Sequence, residues 1–244
     1  MHQQKFENTK MAAAAVHKMN IMDQISSDLH PDWLNSEVKT GTTTMAVEFD
    51  GGVVIGADSR TTRGSYVANR VTDKLTPVTS HIYCCRSGSA ADTQAIADKI
   101  RYELDAYCLE RGIKASVKEA ANLFKNACYE QRDSASAGII CAGWDERNGG
   151  QVYSIPIGGM LVRQPFTIGG SGSTYLYGHC DYNFKKGMSK EDCVKFVIHA
   201  VALAIFRDGG SGGCIRIGII TKDGIERRVV LNSDLPEFYQ GVSK

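Results

Sequence analysis

The sequence lacks an excess of charge of either sign: 28 Lys and Arg stand against 27 Asp and Glu, a formal net charge of +1 over 244 residues. A nucleic-acid or acidic-membrane binder gathers a basic excess into one stripe, and a disordered tail gathers like charges into a block. Neither pattern occurs, so no nucleic-acid or membrane partner is expected. Long hydrophobic runs are missing too. The longest, Phe196 to Phe206 interrupted by His199, falls far short of the roughly 20 residues of a membrane-spanning helix. The weak apolar patch Ala12 to Val16 is flanked by Lys10 and Lys18 with Glu7 and Asp23 nearby. That fits neither a secretory signal nor an acid-poor transit peptide, and an intracellular protein is expected. The eight cysteines contain no CxxC spacing, which removes the zinc and thioredoxin-like readings and leaves buried apolar thiols in a reducing compartment. No Gly-x-x-x-x-Gly-Lys-Ser/Thr occurs, and the glycine-rich stretches are not strand-to-helix dinucleotide turns, so nucleotide binding has no support.

What is present is an ordinary globular composition, 43% hydrophobic, with an uneven N-terminus. Residues 1–41 hold three of the six histidines and four of the seven methionines, with no arginine, no cysteine and no strand alternation. They read as an extension, and residues 42–244 as one domain. The domain opens with a strand from Thr42 to Phe49, Val47 and Phe49 on one face, a turn at Asp50 to Gly52, and a returning strand Val53 to Ala57. After a polar loop through Asn69, a strand from Ile82 to Arg86 ends at Ser87 and Gly88 and meets a capping-box pattern, Ser89 with Asp92. The helix that follows carries Ile96, Ile100, Leu104 and Cys108 on one stripe and stops at Gly112. Ser116 and Glu119 start a second helix with Val117, Ala120, Phe124 and Cys128 inside. An antiparallel meander follows over Gly138 to Trp144, Val152 to Pro156 and Met160 to Val162. A short helical stretch near Tyr175 then precedes a third capping-box pattern, Ser189 with Asp192, which opens a helix through Ile205. A hairpin turning at Asp223 and Gly224 closes the chain. Strands and helices in clusters, without βαβ alternation, predict an α+β fold of two facing antiparallel sheets with helices outside.

Among chemistry-bearing patterns, Gly209, Ser211 and Gly213 formally match the Gly-x-Ser-x-Gly elbow of serine hydrolases. They follow a helix, whereas the elbow stands on a strand-to-helix turn. Outside the extension the histidines are His81, His179 and His199, and His199, in an apolar helix, reads as a core or boundary residue. The remaining signal is Gly41-Thr42-Thr43-Thr44 at the junction of extension and first strand, which alone means only β-propensity. The stretch Thr42 to Thr62, however, strongly resembles the mature start of catalytic beta-type proteasome subunits. Gly64 to Lys74, Cys84 to Thr93, Gly169 to Ser173 and Arg207 to Gly213 continue the likeness, which runs in order over residues 41–232. Within the family the chain looks most like the caspase-like subunit, which cleaves after acidic residues.

The resemblance implies an N-terminal-nucleophile hydrolase, a four-layer αββα sandwich, acting as a threonine endopeptidase in stacked rings of alpha-type and beta-type subunits on unfolded polypeptides, in cytoplasm and nucleus. It implies no metal or organic cofactor. A threonine hydroxyl needs a base, and an α-amine titrating near 7.7 to 8.0 suits neutral pH better than a lysine amine near 10.4. The Thr42 amine exists only after the Gly41–Thr42 bond is cut, so the chain as written is expected to be a precursor with residues 1–41 as its propeptide. Gly41 removes side-chain obstruction at that bond. By resemblance Lys74 and Asp58 lie beside Thr42, Asp208, Ser171 and Ser211 support the amine, and the Gly88 backbone N–H serves the oxyanion. Arg86 maps onto the base of the specificity pocket with Thr61, Thr62, Thr72, Thr76, Ala90 and Gln94 as substrate-binding neighbours. Read singly, these residues would be a structural ion pair, turn serines and glycines, and a solvated arginine. Thr44 and Arg63 depart from the family pattern, at positions where bulky apolar and small polar residues are common, and the extension looks unrelated to the family's propeptides. Two rivals remain open at this point: a non-catalytic ring subunit whose Thr42 stays blocked, and a stand-alone amidase of the same fold.

Overall fold

A computed structural model describes residues 41–238, so the expected extension, apart from Gly41, lies outside the described residues. Two five-stranded antiparallel sheets form the centre. The first has the order β10-β1-β2-β11-β12, built from β1 (Thr44–Phe49), β2 (Gly52–Asp58), β10 (Phe166–Gly169), β11 (Ile215–Thr221) and β12 (Gly224–Val230). The second has the order β5-β6-β7-β8-β9, from β5 (Leu75–Pro77), β6 (Ile82–Gly88), β7 (Ala137–Asp145), β8 (Gly149–Ile155) and β9 (Val162–Arg163). A separate hairpin pairs β3 (Thr61–Arg63) with β4 (Tyr66–Asn69).

Alternation along β1 and β2 assigns the layers. Met45, Val47 and Val54 pack with the apolar side of α4 (Lys190–Arg207), while Ala46, Val53, Ile55 and Ala57 face Leu75, Cys85, Ile140, Ala142 and Val152 of the other sheet. The outer face of the second sheet is covered by α1 (Ala90–Arg111) and α2 (Val117–Glu130), whose Ile96, Ile100, Leu104, Val117, Ala120 and Phe124 are buried against Ile82, Cys84, Ile139 and Cys141. The result is helix, sheet, sheet, helix, the four-layer αββα order. A turn of 3-10 helix at Ser171–Tyr175 and α3 (Tyr177–Asn183) lead into α4. No helix among the described residues is long and apolar enough to cross a membrane.

The helix starts divide by one methylene. At α2 the Ser116 side chain accepts from the Glu119 amide and the Glu119 carboxylate accepts from the Ser116 amide, a complete capping box. Ser89 and Ser189 make only the first half, because the shorter Asp92 and Asp192 do not bond back to the cap amide. Asp92 instead accepts from Ser136 N at 3.2 Å, tying the start of α1 to the start of β7. Four strands are added to those the sequence predicts, and a fifth is displaced. The polar loop through Asn69 contains the β3–β4 hairpin, Leu75–Pro77 forms β5 against β6, and Phe166–Gly169, beyond the end of the expected meander, forms β10 against β1. The meander's last strand holds only Val162 and Arg163, with Met160 exposed. His199 is exposed, stacked 5.0 Å from the His179 ring and edge-on to Phe238. All eight cysteines are free, and six are buried. Burial pushes Cys84 up to about 12, which keeps that thiol protonated and inert.

Candidate active site

Six strand ends meet at one end of the two sheets, and the residues singled out in the sequence sit on them. Thr42 precedes β1, Asp58 ends β2, Lys74 precedes β5, Gly88 ends β6, Ser171 follows β10, and Ser211 stands between α4 and β11. Asp208 is the C-cap of α4.

Asp58 is fully buried and makes four bonds. Oδ1 accepts from Lys74 Nζ at 2.7 Å and Thr43 N at 2.9 Å, and Oδ2 accepts from Gly212 N at 3.0 Å and Arg60 N at 3.1 Å. Each oxygen of this buried carboxylate is thus satisfied by two donors. Lys74, 5% exposed, also donates to Thr42 Oγ1 at 3.0 Å and to the Gly41 carbonyl at 3.3 Å. Burial pulls the Lys74 amine below the ordinary lysine range against the opposing pull of Asp58. The Thr42 hydroxyl donates to the Gly41 carbonyl at 2.7 Å, so hydroxyl, ammonium and the carbonyl of one peptide bond are in mutual contact.

The Thr42 nitrogen has a separate set of partners. It donates to Ser171 Oγ at 3.1 Å, and Ser171 donates to Asp208 Oδ2 at 2.7 Å. Ser211 also donates to Asp208 Oδ2 at 2.7 Å. Since Ser211 has one proton, the 2.7 Å contact between Ser211 Oγ and Thr43 Oγ1 takes its proton from Thr43. Gly41 is held by Thr62 Oγ1, which accepts from its amide at 2.9 Å, and any side chain on Gly41 would run into the Gly210 backbone. Gly88 adopts φ +102°, where a Cβ is strained and would also strike the Ser136 carbonyl.

A second cluster surrounds Arg86. Its Nε donates to Thr76 Oγ1 at 2.8 Å, Nη1 to Thr93 Oγ1 at 3.3 Å and to the Ala90 carbonyl at 3.4 Å, and Nη2 to the Asp73 carbonyl at 3.3 Å. Thr61 and Thr72 bond each other at 2.8 Å, and Gln94 is exposed on the first turns of α1. Of the expected pocket residues, Thr76 and Ala90 therefore touch the guanidinium, while Thr62 touches Gly41. Thr93, Asp73, Thr43 and Gly212 were missed. Three of these act through backbone atoms or sit beside a residue already singled out, and only the buried Thr93, a polar residue one position outside an aliphatic stripe, carried a readable signal. Thr44 is buried with its hydroxyl unpartnered. Among the described residues no cluster of three or more His, Cys, Asp or Glu could hold a metal ion.

Comparison with known proteins identifies the family. The "Proteasome subunit" family model matches residues 38–220. The chain belongs to the proteasome subunit family. It is 56% identical over 211 residues to proteasome subunit beta type-6 of Dictyostelium discoideum, covering 86% of this chain and 99% of that protein. It is 55% identical over 203 residues to proteasome subunit beta type-9 of Bos taurus, 83% and 92% covered, and 55% over 193 residues to proteasome subunit beta type-1 of Saccharomyces cerevisiae, 79% and 89% covered. As a beta-type proteasome subunit the chain is a threonine endopeptidase that assembles with alpha and beta subunits in stacked rings and acts on polypeptides.

Proposed function

We propose that this proteasome subunit is made as a precursor, cuts its own Gly41–Thr42 bond, and then hydrolyses peptide bonds after acidic residues. The proposal includes residues 1–41 as the propeptide and the cytoplasm and nucleus as the places of work. The observation that carries it is the contact of Thr42 Oγ1 with both Lys74 Nζ, at 3.0 Å, and the carbonyl of its own preceding peptide, at 2.7 Å. Attack of Oγ1 on the Gly41 carbonyl carbon converts the amide to an ester and transfers a proton to the Thr42 nitrogen, and water then hydrolyses the ester. The released amine is the base that a threonine nucleophile requires. It starts life 3.1 Å from Ser171, in the Ser171–Asp208–Ser211 network that holds it near the hydroxyl. In later turnovers Lys74 supplies a fixed positive charge beside Oγ1, and the Gly88 N–H is proposed to meet the oxyanion.

The relatives carry the names beta type-1, type-6 and type-9, so a name does not choose the specificity. Arg86 does: its guanidinium is oriented by neutral oxygens from Thr76, Thr93, Ala90 and Asp73, none of them a side-chain carboxylate. No carboxylate among these partners competes with an acidic substrate side chain for the guanidinium.

The test is the intact mass of the subunit from purified particles. Wild type is expected to begin at Thr42, and Thr42→Ala to keep residue 41 joined to residue 42. Wild-type particles that retain the Gly41–Thr42 bond would refute self-activation.

A further inference from the structure

Arg227 lies on β12, in the first sheet, yet its side chain grips the second. Ile225 packs into the core between the sheets, and Arg227, two residues on and therefore on the same face, extends toward the start of β5. Its Nη2 donates to both carboxylate oxygens of Asp73, at 3.0 and 2.8 Å, and its Nη1 reaches the Leu75 carbonyl at 3.4 Å. One guanidinium thus holds the residues on either side of Lys74. Asp73 is further fixed by accepting from Leu75 N at 3.0 Å. Its backbone carbonyl accepts from Arg86 Nη2 at 3.3 Å, while the Lys74 carbonyl accepts from the Arg86 amide at 3.1 Å.

We propose that Arg227 is a positioning residue for substrate selection: by anchoring Asp73 it fixes the carbonyl that orients Arg86 toward the substrate's acidic side chain. The inference rests on the reading of Arg86 as the acid-selecting group. The Arg227–Asp73 pair is partly exposed, with side chains 31% and 44% accessible, so its direct contribution to stability is small. What it supplies is direction. Without it Asp73 loses its side-chain tie to β12, although Arg216 of β11 still donates to the Val71 carbonyl at 2.8 Å, and the Nη2 arm of the Arg86 fork loses its anchored partner while Nε and Nη1 keep Thr76, Thr93 and Ala90. Substrate charge recognition by a guanidinium depends on that orientation. Loss of one such contact corresponds to about 1 kcal/mol, or roughly fivefold in rate.

The experiment uses assembled particles in which the other catalytic subunits are inactivated, and two fluorogenic peptides that differ only in Glu or Leu before the cut bond. Arg227→Gln is expected to raise KM for the Glu peptide and to lower the Glu-to-Leu ratio of kcat/KM by about fivefold, with kcat on the Leu peptide near wild type. Asp73→Ala, which keeps the backbone carbonyl, carries the same expectation where Arg227→Gln chains fail to enter particles. The double variant should lose no more selectivity than either single variant, because both act through one link. A Glu-to-Leu ratio unchanged in these variants, or selectivity losses that multiply in the double variant, overturns the proposal. A wild-type particle with no Glu preference overturns the reading of Arg86 itself and this proposal with it. A wild-type preference that survives Arg227→Gln overturns this proposal alone.

Discussion

Lys74 and Asp58 lie 2.7 Å apart at the catalytic end, and Lys190 and Glu226 lie 2.8 Å apart where α4 meets β12. The lengths match, but the surroundings do not. Side-chain exposure is 6% and 0% in the first pair and 38% and 46% in the second. Burial lowers the Lys74 pKa from 10.5 despite its partner, so the folded chain binds that proton more weakly than the unfolded chain does. The contribution to stability is complete only above the unfolded value, and it is lost as pH falls through the lowered one. At neutral pH the charged lysine is therefore a cost to folding, and in the proposed mechanism that cost is offset by the charge it places 3.0 Å from Thr42 Oγ1. Glu226 shows the opposite sign. Hydrogen bonds from Arg228 and Lys190 hold it at about 2, below its usual 4.5, so its contribution is present above the unfolded value and lost as pH falls toward about 2. Solvent screens that outer pair, and nothing reactive touches it.

The comparison breaks most sharply at Lys74. Lys74→Ala is expected to lower peptide hydrolysis by about a thousandfold or more while the subunit still enters rings, as follows from removing a preorganised charge beside a reacting atom. Lys74→Arg should also be poor, because a planar fork cannot replace a compact ammonium. Steady-state turnover of purified particles checks both. Arg86→Met comes next: a hydrogen bond between charged groups contributes about 1.5 to 3 kcal/mol, or roughly ten to a few hundredfold in kcat/KM on a Glu peptide. Cleavage after Leu should rise in that variant, and propeptide removal should stay near wild type. Equal losses on Glu and Leu peptides would make Arg86 a structural residue. The smallest effect belongs to the outer pair. Lys190→Ala should leave melting temperature and turnover indistinguishable from wild type at neutral pH, and a clear loss of either would show that exposure is not what separates the two pairs.

The periodic parts of the fold were legible in the sequence for a physical reason. Ile96, Ile100 and Leu104, or Val117, Ala120 and Phe124, repeat because one helix face is buried, and all six are buried. Short elements escaped. Leu75–Pro77 and Phe166–Gly169 are too brief to show alternation, and their pairing is dictated by β6 and β1, far away in sequence. The site divides in the same way. Thr42, Lys74, Asp58, Asp208, Ser171 and Ser211 came from family likeness and converge at one end of the sheets. The contacts that orient them, such as the Gly212 amide on Asp58 and the Asp73 carbonyl on Arg86, use backbone atoms that no residue type advertises.

The central claim is that the buried Lys74 charge serves Thr42 and not the fold. Its most direct measurement is the intact mass of the Lys74→Ala subunit from assembled particles whose other catalytic subunits are inactivated. Retention of the Gly41–Thr42 bond in assembled particles is the predicted result. A Lys74→Ala subunit that assembles and is cut to begin at Thr42 as completely as wild type would contradict the account.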